Sequence, residues 1–211
     1  LVDTPAYQRL RWIRQLGPTN LVYPGANHTR HEHCMGTCHV VGRIADYIGL
    51  DSHDKQLASV AGLLHDLGHT PFSHLGDEVA GLEDHVIRTT KLVSDTEISD
   101  ILSEEGIASK GVNEIIQGDH KLGPLVSGDL DGDRLDDLVR DAHYTGVSTG
   151  VDAGRLITTM SMVDGTLVVR QGGLPAVEAL LTTRSTMYPT VYFHPFVRGA
   201  ELMLARAANS A

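Results

Sequence analysis

The sequence predicts a mainly α-helical fold with one small β-hairpin, on three observations. Apolar residues recur at helical spacing, most clearly as Leu135, Leu138, Val139 and Ala142. Helix start and stop signals punctuate these runs, such as Thr4–Pro5, Ser52 and Gly68. A strand-like stretch, Arg155 to Arg170, is broken by Asp164–Gly165, the signature of a type I′ turn.

Taken in order, Thr4 and Pro5 open a first helix with Ala6, Leu10 and Ile13 on one face. Gly, Pro and Asn make "GPTNLVYPGANHTR" a loop. A second helix carries His33, with Val40, Val41, Ile44 and Ile48 as its apolar side. Ser52 opens a third, with Leu57, Val60, Ala61 and Leu64 inward and His65–Asp66 at its end. Gly68 stops it, and Thr70–Pro71 reads as another start. Helix is patchy from Leu82 to Gln117 and clearer from Asp129 to Tyr144, where Asp133, Asp137, Arg140 and Asp141 lie opposite the apolar face. After the hairpin come helices from Leu174 to about Tyr192 and from Pro195 to Ala208.

The 211 residues, 41% hydrophobic and 21% charged, suit one soluble domain over 1–211 with a real core. A formal charge of -10 argues against duplex DNA as the main partner, while leaving room for a local basic pocket that takes a small phosphate compound. Cys34 and Cys38 stand at i and i+4, wider apart on a helix than a disulfide favours. They read as reduced thiols of a cytoplasmic protein; a Cys/His zinc site is the alternative, at an unusual spacing. No apolar run is long enough for a membrane span, and no signal peptide is seen. The chain opens on Leu1 already in helical stride, so an earlier natural start is expected.

One stretch, "GLLHDLGHTPFSHL" from Gly62 to Leu75, sets His65 and Asp66 side by side where a helix ends toward the core. A lone buried histidine is usually a hydrogen-bonded core residue. The set His33, His65, Asp66 and Asp133 on inward helical faces is different: two imidazoles and two carboxylates suit a divalent ion with water completing the shell. Coordination would offset the desolvation of burying that pair.

The H…HD…D pattern resembles the HD superfamily of metal-dependent phosphohydrolases, which implies an HD-domain helical bundle. "YPGANHTRHEH", "GLLHDLGHTPFSHL" and "DGDRLDDLVRDAHYTGV" are similar to the three signature blocks of its deoxynucleoside triphosphate triphosphohydrolases, the dGTPase-like group, and "RSTMYPTVYFH" to their later tyrosine-bearing helix. The likeness runs through nearly the whole chain. It implies that His33, His65, Asp66 and Asp133 hold one divalent ion (Mn, Mg, Fe, Ni or Zn). Arg30 and Arg134 would contact phosphates, and His69, His74 and His85 would line the phosphate path, with Asp77 orienting a catalytic histidine, His85. Asp141 would accept from the sugar 3′-hydroxyl, Gln15 and Leu16 would lie near sugar and base, and Tyr188 would pack where a 2′-hydroxyl would sit. Attack at the α-phosphorus would release a nucleoside and tripolyphosphate.

Two positions depart from the family pattern. Asp136–Asp137 stands where Asp-Tyr is usual, which exchanges a flat apolar wall for a carboxylate in the substrate site and implies weaker selection for deoxy sugars. Val86 stands where an acidic residue often follows the later histidine. The family's opening strand and large C-terminal part have no counterpart here, so a truncated or minimal version of a longer architecture is expected, with homo-oligomerisation open. Two other functions remain in view: a phosphatase or phosphodiesterase acting on another nucleotide, and a nucleotide-binding regulatory module with little turnover.

Overall fold

The computed structural model describes residues 1–71, 73, 75 and 82–210. Among them the α-helices are α1 (Pro5–Gln8), α2 (Arg30–Ile48), α3 (Ser52–Leu64), α4 (His85–Asp95), α5 (Glu97–Glu104), α6 (Ser109–Gln117), α7 (Gly132–Thr145), α8 (Ala153–Ile157), α9 (Leu174–Met187) and α10 (Pro195–Asn209). A two-stranded antiparallel sheet, β1 (Met160–Val163) with β2 (Thr166–Val169), lies between α8 and α9. The protein is thus mainly α with one small hairpin. No helix among the described residues is long and apolar enough to cross a membrane.

Local chemistry fixes the helices that matter for the site. At the start of α2, Glu32 Oε2 accepts from the Thr29 backbone N–H at 2.6 Å, half of a capping box. Asp51 caps α3 by accepting from Asp54 N–H at 2.8 Å, and Ser52 opens that helix as its first residue. Asp131 caps α7 by accepting from Arg134 N–H at 2.7 Å, and Gly146 ends it in the left-handed region at φ 74°.

α2 is the central helix and packs against both α3 and α7. Its apolar side, Cys34, Val41 and Ile44, meets Leu57, Ala61 and Leu64 of α3 and Leu135 and Leu138 of α7 in one continuous core. Gly36 leaves room for two side chains of α7: a Cβ there would overlap Asp136 Oδ1 and Arg140 Nη2. With α7 this close, its side chains reach the histidines of α2.

Several sequence expectations need correction. α1 is a single turn that passes into a 3₁₀ turn, Arg9–Trp12, so the buried side follows a period of three, Tyr7, Leu10 and Ile13, and Ala6 is only partly buried. The loop after it carries a 3₁₀ turn, Gly17–Leu21, and a bridge between Arg14 and Thr29. Thr70 does not open a helix; it forms a bridge with Ser73, whose N–H donates to Thr70 O at 3.0 Å. On α7, Val139 is exposed while Asp141 is buried, because this helix faces the site as well as the core. Arg155–Ile157 belongs to α8, capped by Asp152, and not to the hairpin, whose Asp164 and Gly165 take φ of 48° and 77° as a type I′ turn requires. Pro189, which has no N–H to give, sits in a π-helical turn, Tyr188–Tyr192, that closes α9 before Tyr192.

Candidate active site

The end of α3, the first turns of α2 and the start of α7 bring His33, His65, Asp66 and Asp133 together. His33 Nε2 lies 3.2 Å from His65 Nε2, 2.9 Å from Asp133 Oδ1 and 3.6 Å from Asp66 Oδ2. His65 Nε2 lies 3.3 Å from Asp133 Oδ1 and 3.5 Å from Asp66 Oδ1. The outer ring nitrogens are engaged on the far side: His33 Nδ1 with Asp136 Oδ2 at 2.9 Å, and His65 Nδ1 with Gly62 O at 2.8 Å. An Nδ1–H that donates outward leaves each Nε2 as a lone pair. Two buried lone pairs that face each other at this distance repel unless a proton or a cation lies between them. The donor set, two imidazole nitrogens and two carboxylates, therefore fits a divalent ion.

Electrostatics agree. Burial alone would lower both histidines. Instead Asp137, with Asp133 and Asp136, raises His33 well above its ordinary value, and Asp66 with Asp133 brings His65 up to about 9. Burial works to raise Asp66, but Arg30, His65 and His69 hold it well below the usual carboxylate range. Arg30 is buried, pairs with Asp66 Oδ2, and donates to Ser73 Oγ, from Nε at 3.0 Å and also from Nη2. Ser73 takes a left-handed φ of 58°, a strained conformation for a residue with a Cβ.

Beyond Asp66 stands His69, its Nε2 3.2 Å from Asp66 Oδ1 and its ring stacked on His85 at 4.2 Å and 17°. Burial, followed by the Arg30 charge, brings His69 down to about 3, so it is a neutral hydrogen-bonding group. Asp66, His69 and His85 offer three ligand atoms close together. Parallel stacked rings cannot both aim in-plane lone pairs at one ion, so this trio suits hydrogen bonding better than a second metal. His74 and Asp77 lie outside the described residues.

A cavity of about 470 Å³ opens beside Asp133. All seven substrate contacts expected from the sequence line it: Gln15, Leu16, Arg30, Arg134, Asp137, Asp141 and Tyr188. Arg134 is held by Asp129 O at 2.8 Å. Asp137 Oδ1 accepts from Gln15 Nε2 at 2.6 Å. Burial and the neighbouring Asp133 and Asp141 push its carboxyl well up, against the pull of His33 and Arg30. Asp141 Oδ1 lies 2.8 Å from His28 Nε2, and its Oδ2 accepts from Tyr192 OH at 2.8 Å.

Sequence reasoning passed over five side chains in this region. Asp136 supports His33 and is itself gripped by Arg140 at 2.8 and 2.9 Å; its place three residues after Asp133, on the same helical face, was the available signal. His28 is buried, stacks on Tyr144 at 4.5 Å and orients Asp141; nothing in its sequence context sets it apart from the other histidines. His31 is also buried, against Tyr7. Tyr192 is the tyrosine bonded to Asp141, while Tyr188 lines the same cavity with its hydroxyl near Arg184. Ser73 gave no signal in the sequence.

Comparison with known proteins assigns residues 30–141 to the HD domain family and residues 151–211 to the HD associated region. The chain is 37% identical to YwfO of Bacillus subtilis over 221 residues, covering all of this chain and 51% of that protein. It is 31% identical over 235 residues to the deoxynucleoside triphosphate triphosphohydrolase SAMHD1 homolog of Dictyostelium discoideum, covering all of this chain and 45% of that protein. A solved phosphohydrolase from Bacteroides thetaiotaomicron superposes with a TM-score of 0.88 at 33% identity, over 99% of this chain and 54% of that one. A hypothetical protein from Aquifex aeolicus superposes at 0.89 and 37%, over 99% and 59%. The chain spans about half the length of the curated relatives it matches.

Proposed function

The chain belongs to the HD domain family, as a phosphohydrolase close to the dGTPase-like group, and on that premise we propose that it hydrolyses nucleoside triphosphates at the α-phosphorus, releasing a nucleoside and tripolyphosphate. One observation carries the reading: a single cavity has Asp133, one of the converged His and Asp donors, on its wall, together with Arg30, Arg134, Arg184, Tyr188 and the Asp141-bonded Tyr192. A relative is named as a deoxynucleoside triphosphate triphosphohydrolase, which supports the same substrate class.

In this reading His33, His65, Asp66 and Asp133 hold a divalent ion. When bound, it supplies positive charge and Lewis acidity at a phosphate oxygen. Arg30, buried beside Asp66, places a fixed positive charge at the reacting phosphate. Arg134 and Arg184, on the cavity wall, receive the outer phosphates. Tyr188 and Tyr192 flank the sugar, and Asp141, held by His28 and Tyr192, accepts from its 3′-hydroxyl. Water adds to the α-phosphorus, the Pα–O5′ bond breaks, O5′ leaves with a proton donated by His85, and the proton given up by the attacking water replaces it on His85. His69, a neutral ring, stacks on His85 and holds it in place. Free thiols at Cys34 and Cys38 fit a reducing, cytoplasmic setting.

The test is purified protein with each dNTP and NTP under Mn, Mg, Ni and Fe, with products resolved by phosphorus NMR. Tripolyphosphate is expected from at least one nucleotide, and Asp133→Asn is expected to abolish it. Orthophosphate or pyrophosphate as the first product, or no consumption of any nucleotide, contradicts the proposal.

A further inference from the structure

The cavity contains one carboxylate whose work inside the protein is half done. Asp137 Oδ1 is claimed twice, by Gln15 Nε2 at 2.6 Å and by His33 Nδ1 at 3.2 Å. Its Oδ2 has no hydrogen-bond partner among the described residues, and the side chain keeps about a third of its surface, on the cavity wall. Gln15 is only 5% exposed, and while its amide N–H is given to Asp137 its own Oε1 is buried without a partner. The carboxylate fixes the orientation of that amide, since the opposite flip would set oxygen against oxygen. An unpaired buried amide oxygen is costly. What the cost secures is a carboxylate turned so that one oxygen faces the cavity.

One helical turn further along α7, Asp141 has both oxygens occupied, by His28 and Tyr192. Two carboxylates at i and i+4 thus share one wall, one committed to the protein and one open. A carboxyl oxygen turned to the cavity pairs with a hydroxyl. In a cavity that receives a nucleotide, a carboxyl oxygen left without a partner is a hydrogen bond forgone, whereas a sugar hydroxyl beside it satisfies both groups. A ribose carries a pair of adjacent hydroxyls, and a deoxyribose carries only one of them. Aspartate is also too short to fill the space a 2′-hydroxyl needs.

We propose that Asp137, positioned by Gln15, reads a sugar hydroxyl, and that this chain takes ribonucleoside triphosphates at least as readily as their deoxy counterparts. The inference rests on the cavity being a nucleoside triphosphate site.

The test compares kcat/KM for each of the four NTP and dNTP pairs in the parent protein, Asp137→Leu, Asp137→Asn and Gln15→Leu, with metal content as the check on folding. The parent is expected to show an NTP-to-dNTP ratio of about one or more. Asp137→Leu should lower that ratio about 10-fold, and Asp137→Asn, which keeps an acceptor oxygen, by less. Gln15→Leu should lower it in the same direction by freeing Asp137 to turn. A parent that rejects all NTPs about 100-fold while hydrolysing dNTPs overturns the inference and leaves the triphosphohydrolase reading standing. So does a ratio unchanged in Asp137→Leu. If no nucleotide is turned over, the triphosphohydrolase reading fails, and the same ratios are read from calorimetric dissociation constants. Equal loosening of NTPs and dNTPs in Asp137→Leu then overturns the inference.

Discussion

His33 Nε2 and His65 Nε2 face each other at 3.2 Å inside the protein, each ring held from behind by a partner on its Nδ1. The rest of the site is organised around this opposition. It cannot persist as two bare lone pairs, and the carboxylates of Asp66 and Asp133 stand where a cation between the rings would be shared.

Replacing Asp133 by Asn should remove the bound ion. Asp133 is the cleaner target, because Asp66 also neutralises the buried Arg30, and losing it would leave an unpaired buried charge at about 3–5 kcal/mol. Elemental analysis of Asp133→Asn should show little metal, and added metal should no longer raise its Tm. Full occupancy in this variant would remove Asp133 from the ligand set.

Protons and metal should compete. Against burial, Asp66 and Asp133 bring the folded-state His65 up to about 9, while an unfolded imidazole titrates near about 6.5. In the metal-free protein this group's stabilisation is fully present below about pH 6.5 and is lost as pH rises through about 9. Metal affinity runs the other way, strengthening over the same window as the proton leaves. Thermal melts of metal-free protein and calorimetric metal titrations at about pH 6, 7.5 and 9 read both trends. Affinity that does not change with pH would take His65 out of the site.

Asp136→Ala should weaken metal binding about 10- to 100-fold, because it leaves His33 Nδ1 without its closest carboxylate partner. Gly36→Ala should act through the same contact. Its added methyl would overlap the Asp136 carboxylate and the Arg140 guanidinium, displacing both side chains at a cost of about 1–3 kcal/mol. Denaturant unfolding and metal titration separate the two effects: Asp136→Ala loses mainly affinity, and Gly36→Ala loses both. Unaltered metal affinity in Asp136→Ala would show that His33 needs no such support.

His85→Ala should keep nucleotide binding and lose about 10²- to 10⁴-fold in kcat, since its proposed role is to protonate the leaving oxygen. Steady-state kinetics with a parallel binding measurement tests this. A matched loss of binding and kcat would make it a substrate contact instead.

What the sequence made legible, and what it hid, follows from how local each signal is. His33, His65, Asp66 and Asp133 could be grouped because each sits at a recognisable place on a helix, and helix ends are written in nearby caps and glycines. The cavity residues came from motif likeness, and they do converge on one cavity. The supporting contacts were not legible. Asp136 shares a face with Asp133, but its bond to His33, 103 positions away in sequence, depends on the room that Gly36 leaves on α2. His28 and Tyr192 meet only through Asp141, from segments far apart in the chain. The buried face of α1 was misread by one position because 3₁₀ winding replaces the 3.6-residue period after one turn.

The most direct test of the central claim is hydrolysis in ¹⁸O-labelled water, followed by phosphorus NMR, which reports the label as an isotope shift on the phosphorus it joins. Attack at the α-phosphorus with loss of O5′ places the label on a terminal phosphorus of tripolyphosphate, leaves the nucleoside unlabelled and releases no orthophosphate. Label in orthophosphate, in pyrophosphate or on the nucleoside oxygen would contradict it.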